Sequence, residues 1–180
     1  MKIMSDTPEI NFSNYGIYGL EDELELLLPN TSIKFHRISD NAFSYFRKNS
    51  EGRIIEKIIP VKSNDLKIEL APIRPLNHPA RRTSHIFLKF DKSIHLSANS
   101  AASIFVHCPI EVGIFLIHDS IHDSLDWITC NPLNSRFGLY GSPDTGTLCK
   151  YAKVSSATDY NDSDSYLEGV MQIILENTLS

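Results

Sequence analysis

The chain is 180 residues long, with 42% hydrophobic and 22% charged residues, which are the proportions of an ordinary soluble protein. This length predicts one domain whose core needs neither a disulfide nor a structural metal. Seventeen basic and 22 acidic residues give a net charge of −5, which argues against a nucleic-acid or anionic-membrane surface as the main partner.

The cysteines and the N-terminus indicate the cellular setting. Cys108, Cys130 and Cys149 are odd in number and lack the spacing of a disulfide framework, so we expect a reducing, cytoplasmic environment. Residues 1–14 are polar and contain no signal-peptide core, and we expect them to be a loosely ordered segment before a single domain at residues 15–180. No apolar run is long enough to span a membrane, so we expect no membrane insertion.

Short strands separated by turns are predicted from residue 15 onward. Residues 15–19 resemble a turn or an edge ribbon. Residues 20–28 fit a strand or a helical turn, and we favour the strand because Leu24, Leu26 and Leu28 alternate with other side chains.

A hairpin is predicted next in the chain. Residues 42–48 and 53–61 are rich in β-forming residues and flank a four-residue loop at 49–52. Within the return strand, residues 54–59 are apolar on both faces, which makes them a plausible element for pairing with another chain.

The middle of the chain contains its longest apolar run, residues 104–118. Pro109 divides it into two consecutive core strands, since proline cannot donate to a sheet ladder. Before it, residues 71–83 form a predicted crossover loop that carries three arginines, and residues 84–90 and 93–96 predict two strands.

The remaining segments continue the same pattern. Residues 119–123 predict a turn, 125–130 a strand, and 137–151 two strands joined by a tight turn. The last segment, 166–180, fits a strand or a short C-terminal helix, and we favour the strand because of Gly169 and its isoleucines.

These segments together predict an all-β protein, a two-sheet antiparallel β-sandwich. The predicted shared core is apolar and central in the sequence, and it consists of Ile104, Val106, Val112, Ile114 and Leu116.

The order of several motifs carries a family resemblance. LAPIRPLN, HIFLKF, CPIEVGIF and GLYGSPDTGTLCKYAK resemble an archaeal domain-of-unknown-function family, number four hundred and thirty-two, over about Tyr15 to Leu179. The resemblance implies an archaeal cytosolic setting and no established activity. Members of that family continue past an ENT-like segment, whereas this chain ends at Ser180, which leaves open whether it lacks its last strands.

The turn at residues 141–147 contains two motifs that could carry chemistry. Asp144-Thr145-Gly146 is the triplet of aspartic proteases, but Ser142 and Pro143 stand where such an enzyme has apolar strand residues, so we favour a plain turn. The glycine spacing also fits a phosphate-binding loop, yet Thr147 replaces the required lysine, and we reject that interpretation.

One cluster resembles a metal site. His118 and His122 are four residues apart, and Asp123 lies beside them, which would suit a metal if the segment were helical. Because the cluster falls between two predicted strands, we favour a solvent-exposed hairpin turn, and we expect no metal and no other cofactor.

Glu111 is the best candidate for a functional carboxylate, since it lies within the apolar run. A buried glutamate must be paired, and Arg136 or Lys150 could serve. A structural ion pair is the simpler interpretation. Together with Tyr140 and Asp144, Glu111 and Arg136 form our candidate ligand-binding set.

Three classes of function stay open. The leading expectation is a non-enzymatic protein that contacts a protein partner or forms a homo-oligomer, through an edge strand or the arginine-containing loop. The second is a small-molecule-binding module with a pocket between its sheets. The third is a metal-dependent hydrolase at His118 and His122.

Overall fold

The fold is known from a computed structural model that describes residues 15–61, 66–118, 121–130, 136–160 and 168–179. The predicted loose segment at residues 1–14 lies outside the described residues. The chain divides into two compact units: residues up to 71 with 113–126 form the first, and residues 72–112 with 127 onward form the second. The division crosses three strands. That both units act as one domain stays a prediction.

The first unit contains one whole four-stranded sheet and most of a second. The whole sheet contains, in spatial order, β2 (Glu23–Leu28), β3 (Thr31–Ser39), β4 (Ala42–Asn49) and β5 (Ile54–Pro60), and the other contains β1 (Gly16–Gly19), β6 (Lys67–Ile73), β9 (Glu111–His118) and β10 (Ile121–Ile128). Strands β6, β9 and β10 each have two residues in the second unit.

The alternation of side chains explains the first sheet. Across β3 and β4, Phe35 lies opposite Tyr45, and their rings are 5.1 Å apart. Both are fully buried, as is Ile33 two residues before Phe35 on the same face. The strand predicted at residues 20–28 is confirmed over Glu23–Leu28, and β5 lies at the edge of this sheet.

The second unit contains two three-stranded sheets. One contains, in spatial order, β11 (Arg136–Tyr140), β12 (Thr147–Val154) and β7 (Ile86–Phe90), and the other contains β13 (Ser156–Ala157), β8 (Ser100–Pro109) and β14 (Glu168–Asn177). Strands β7 and β12 run parallel, while β8 pairs antiparallel with β14 over ten residues.

The core of the second unit lies between these sheets. Ile104 and Val106 of β8 pack with Ala152 and Val154 of β12. Leu88 of β7 and Ile173 of β14, among others, close the cluster from the sides. Each unit therefore has its own pair of sheets where a single pair was expected.

The all-β class is confirmed, since the described residues contain fourteen strands and no helix. Consequently no described helix is long and apolar enough to cross a membrane. The final segment is strand β14, as favoured, rather than a short helix.

Some boundary predictions are wrong. The crossover loop predicted at 71–83 begins only after Ile73, because β6 extends to that residue. Ser93–Leu96 forms no strand, because residues 93–95 lie exposed and the carbonyl of Leu96 accepts a hydrogen bond from the Asn177 side chain, at 3.1 Å, instead of joining a ladder. The turn predicted at 119–123 is wrong for residues 121–123, because these belong to strand β10, which begins at Ile121; residues 119 and 120 lie outside the described residues.

The predicted core residues are distributed over both units. Ile104, Val106, Val112 and Ile114 are buried. Leu116 is only half-buried, because β9 becomes more exposed toward its end at His118.

Candidate functional site: an apolar cavity beside a buried carboxylate

Glu111 is the first residue of β9 and is only 2% exposed. Its Oε2 accepts hydrogen bonds from the backbone N–H and the side-chain amide of Asn77, both at 3.0 Å, and its Oε1 accepts the backbone N–H of His78 at 2.8 Å. A buried carboxylate is tolerated when donors surround it. Here the donors come from one irregular loop, so Glu111 acts as an anchor for that loop.

Lys150 completes this anchor from the core face of β12. It is buried, its ammonium donates a hydrogen bond to the carbonyl of His78, and it lies 4.8 Å from the centre of the Phe137 ring. Burial lowers the pKa of the Lys150 ammonium, and attraction to Glu111 partly offsets that effect. Of the two cations proposed as partners of Glu111, Lys150 is the buried one, whereas Arg136 is exposed at the start of β11.

The loop is also fastened at its far end. Thr83 Oγ1 donates to the carbonyl of Leu148 at 2.6 Å, and the backbone N–H of Lys150 donates to the carbonyl of His85 at 2.8 Å. Backbone groups of an irregular segment need such partners when they leave solvent. The crossover loop is thus held at both ends by polar contacts.

The turn that contains Asp144 has a structural explanation. The backbone N–H of Gly146 donates to the carbonyl of Ser142 at 2.7 Å, and the hydroxyls of Ser142 and Thr145 are 2.7 Å apart. A Cβ at Gly146 would lie 2.5 Å from the Ser142 carbonyl oxygen, so only glycine fits. Asp144 is exposed, and strand β12 follows where a phosphate loop would need a helix.

Tyr140 lies at the end of β11 with 63% of its surface exposed. It shares a strand face with Arg136, four residues earlier, by the period-two alternation of a strand. Glu111 is buried on another strand. The structure therefore distributes the four proposed ligand-binding residues over a buried anchor, an exposed sheet face and an exposed turn.

The histidine cluster is divided between two acidic partners. His118 Nε2 lies 2.7 Å from Asp123 Oδ2, whereas His122 Nδ1 lies 2.9 Å from Glu69 Oε2. The prediction that His122 and Asp123 lie in a turn is wrong, since both belong to β10. Within the described part of the chain, no group of three or more His, Cys, Asp or Glu side chains is arranged to hold a metal ion.

A cavity of about 490 Å³ lies in the second unit. Its walls come from four segments: the end of β6 with the start of the loop that follows it, β7, the end of β8 with the residue after it, and the start of β14. The lining residues are Pro72, Ile73, Arg74, Pro75, Ile86, Leu88, Cys108, Pro109, Ile110, Gly169, Val170 and Met171.

The chemistry of the lining is almost entirely apolar. Arg74 is the single charged residue among the lining residues, and its side chain is exposed. Burial and the nearby Glu168 carboxylate raise the pKa of the Cys108 thiol, which keeps it protonated and unreactive at neutral pH. The cavity can therefore hold an apolar molecule, but its walls supply no nucleophile.

The anchored loop connects Glu111 to this cavity. Ile110, which lines the cavity, directly precedes Glu111, and Pro75 lies two residues before Asn77. The backbone N–H of Leu76 donates to the Arg74 carbonyl at 2.8 Å, and this hydrogen bond closes a tight turn around Pro75. Glu111 therefore fixes the position of one cavity wall without lining the cavity itself.

Sequence reasoning missed most of these lining residues. The apolar ones look like ordinary core positions, and nothing in their spacing distinguishes a cavity wall from a packed core. The available signal was the proline-rich loop with Arg74, which stands out as an irregular apolar segment that carries a cation.

A family model described as protein of unknown function (DUF432) matches residues 14–180. Comparisons with curated proteins and with solved structures found no match.

Proposed function

Because the chain belongs to the DUF432 family, as its motifs predicted, and that family is described as of unknown function, we propose a function from the geometry of the chain itself. The second unit binds a small, largely apolar molecule that carries an acidic group. The observation that carries this proposal is the cavity of about 490 Å³ with one arginine in an otherwise uncharged lining.

The size and composition of the cavity support a ligand of modest size. Small-molecule sites commonly measure about 300–1,000 Å³ and combine apolar walls with few polar groups. Each buried methylene of a ligand contributes about 0.8 kcal/mol to binding, so an alkyl chain suits a cavity with such walls.

Arg74 is the reason to propose an acidic group on the ligand. Its guanidinium is always charged and binds carboxylates through two parallel hydrogen bonds. Because the side chain is exposed, the charge keeps its hydration while the apolar part of the ligand lies inside.

The anchored loop supports a cavity that exists before the ligand arrives. Glu111 and Lys150 fasten the segment that follows Pro75, so binding does not have to order this wall. A preformed wall reduces the entropic cost of binding.

The test is calorimetric titration with straight-chain carboxylates of increasing length. We expect the affinity to rise about fourfold per methylene, which corresponds to about 0.8 kcal/mol, until the chain fills the cavity. A primary alcohol of equal length should bind about tenfold or more weakly, since a hydrogen bond to a charged group contributes about 1.5–3 kcal/mol.

Two matched pairs of variants locate the site. Val170→Phe should fill the cavity and abolish binding, whereas Ile174→Phe, exposed on the same strand, should not. Arg74→Gln should remove the preference for the carboxylate, whereas Arg81→Gln should keep it. Affinity that is independent of chain length, or equal effects within either pair, would contradict the proposal.

A second function is favoured by the edge of the first unit. Ile54 and Ile58 lie on the edge strand β5 with 51% and 72% of their surfaces exposed. We propose that this edge pairs with β5 of a second copy, since one surface can pair with itself about a two-fold axis. The oligomeric state in solution tests this proposal.

The three thiols support a reducing, cytoplasmic setting for either function. Cys108, Cys130 and Cys149 form no disulfide bond, and two of them are buried. Thiols stay outside disulfide bonds where the cell keeps them reduced.

A further inference from the structure

Three aromatic rings lie in a row on the sheet of β7, β11 and β12, with one pair tilted and the other stacked. The ring of Phe87 lies 5.3 Å from that of Tyr140, with 32° between their planes, and 5.9 Å from that of Tyr151, with 24° between the planes. We call these three residues the aromatic ladder. Its middle ring is Phe87, and Tyr140 at one end is 63% exposed.

The ladder lies on the outer face of the sheet. Tyr151 and Phe87 are opposite each other in the register of β12 and β7, so their side chains share a face. Their neighbours Ala152 and Leu88 point the other way, into the core of the second unit. The outer face thus carries the aromatic ladder, whereas the inner face packs into the core of the second unit.

The same face carries three exposed cations. Arg136 is opposite Tyr151 in the register of β11 and β12, and Lys153 is opposite Lys89 one row further along. All three cations are exposed. None of the outward positions of these three described strands is acidic; the nearest acids in the chain, Asp91 and Asp144, follow the ends of β7 and β11.

We propose that this face binds single-stranded nucleic acid, DNA or RNA, by stacking bases on the aromatic ladder and placing phosphates at Arg136, Lys89 and Lys153. Aromatic side chains and cations on one open surface are the combination that single strands require, since every base has a stacking face and every phosphate a negative charge. A duplex offers no free base for this face to bind, because its bases are already stacked on one another.

This site is separate from the apolar cavity and does not depend on the function proposed for it. Ile86 and Leu88 line the cavity, whereas Phe87 between them belongs to the ladder. The two sites therefore use opposite sides of β7.

The net charge of −5 led to the expectation of no nucleic-acid partner, but that charge is unevenly distributed. The first unit contains nine basic and 14 acidic residues, whereas the second contains eight of each, so the whole excess of negative charge belongs to the first unit. Binding depends on the local field of a surface, and this face presents cations alone.

The experiment is fluorescence anisotropy with labelled 15-nucleotide oligo-dT and oligo-rU, and with a labelled duplex of equal length. We expect both single strands to bind and the duplex to bind more weakly. The logarithm of the binding constant should fall with the logarithm of salt concentration with a slope of about −2, since each phosphate contact on a single strand contributes about 0.7.

Variants separate stacking from charge. Tyr140→Ala should weaken binding about 5- to 150-fold, which is the range for one stacked base. Tyr160→Ala is the matched control, because Tyr160 is 61% exposed but packs edge-on against Phe105. Lys89→Gln should lower the salt slope by about 0.7, whereas the exposed Lys48→Gln should leave it unchanged.

Tyr140→Leu keeps an apolar side chain against Phe87 and serves if the alanine variant does not fold. The proposal is overturned if neither single strand binds at 100 μM protein, or if the duplex binds as tightly as the single strands. It is equally overturned if Tyr140→Leu and Tyr160→Ala change the affinity for the single strands equally, because the cations alone would then account for binding. Binding that Tyr140→Leu selectively weakens would support it.

Discussion

Two buried carboxylates, one in each unit, are satisfied in different ways. In the first unit, Asp126 of β10 accepts a hydrogen bond of 2.6 Å from the Tyr45 hydroxyl and lies 3.0 Å from the Arg47 guanidinium. Tyr45 and Arg47 both belong to β4, so the carboxylate connects strand to strand through side chains. In the second unit, Glu111 is satisfied by two backbone amides and one side-chain amide of a loop.

The difference shows what each carboxylate contributes. Asp126 pairs with a cation and a hydroxyl on a regular strand whose position the sheet already determines, so it stabilises the packing of the first unit. Glu111 determines the course of an irregular segment that has no ladder of its own, and that segment forms a wall of the cavity. Removing Asp126 should therefore affect stability, whereas removing Glu111 should affect both stability and ligand binding.

The largest effect is expected for Glu111→Ala. The substitution leaves the part-buried backbone N–H groups of Asn77 and His78 without this acceptor and removes the carboxylate that attracts the Lys150 ammonium. Each donor that loses its acceptor costs about 1–3 kcal/mol, so we expect a total loss of about 3–5 kcal/mol. Denaturant unfolding measures this loss. Glu111→Gln keeps the shape and one acceptor and should recover part of it; equal stability of wild type and alanine variant would show that the carboxylate does not anchor the loop.

Asp126→Asn should have the next largest effect, about 2–3 kcal/mol. The asparagine keeps one acceptor for Tyr45 but leaves the largely buried Arg47 guanidinium without its counter-charge. Ligand titration of the same variant sharpens the comparison, because carboxylate binding in the second unit should stay at the wild-type level. A loss of ligand affinity as large as that of Glu111→Ala would contradict the distinction between the two carboxylates.

The sequence predicted Glu111 as buried and paired because it lies within an apolar run, where an unpaired charge is too costly. It could not identify the loop as the partner, because Asn77 and His78 lie more than 30 residues away and have no periodicity. Long-range polar contacts of this kind leave no local pattern, whereas the alternation that predicted the strands is local.

The same reasoning explains where the histidine cluster was misplaced. His122 and Asp123 look like turn residues because they are polar and follow an apolar strand, yet cross-strand partners hold them in β10. Tertiary pairing overrode the local preference. The candidate cavity was unpredictable for a related reason: its walls are contributed by four segments that are separate in the sequence.

Tyr45→Phe should cost about 1–2 kcal/mol near neutral pH and alter the dependence of stability on alkaline pH. Burial, reinforced by Asp126, raises the pKa of Tyr45 well above its ordinary value. A group whose pKa is raised by folding contributes stability that is complete below its unfolded pKa of about 10 and is lost as the pH rises beyond it. The phenylalanine variant should therefore lose stability less steeply above pH 10, by up to about 1.4 kcal/mol per pH unit.

The effect of Tyr45 on stability is read from the difference between the pH curves of the wild type and of Tyr45→Phe, not from the wild-type curve alone. Burial also raises the pKa of the Cys130 thiol to about 11, so the wild type starts to lose stability at a lower pH for a separate reason. Urea unfolding between pH 8 and 11 measures both curves. Parallel slopes above pH 10 would mean that Tyr45 ionises in the folded protein as it does in the unfolded chain.

The smallest effect on folding is expected at the edge of the first unit. Ile58→Lys changes a side chain that is 72% exposed, so the free energy of unfolding should change by less than about 0.5 kcal/mol. Its effect on assembly should be large if β5 pairs with a second copy, because a lysine on an edge strand opposes pairing. A stable interface of this kind buries about 1,200 Å² or more. Light scattering at micromolar concentration should then give a dimer for wild type and a monomer for the variant.

Ile17→Lys is the matched control, since Ile17 is 59% exposed on β1, an edge strand of the other sheet in this unit. A monomeric wild type, or a dimer that Ile17→Lys dissociates and Ile58→Lys does not, would exclude β5 as the self-association surface.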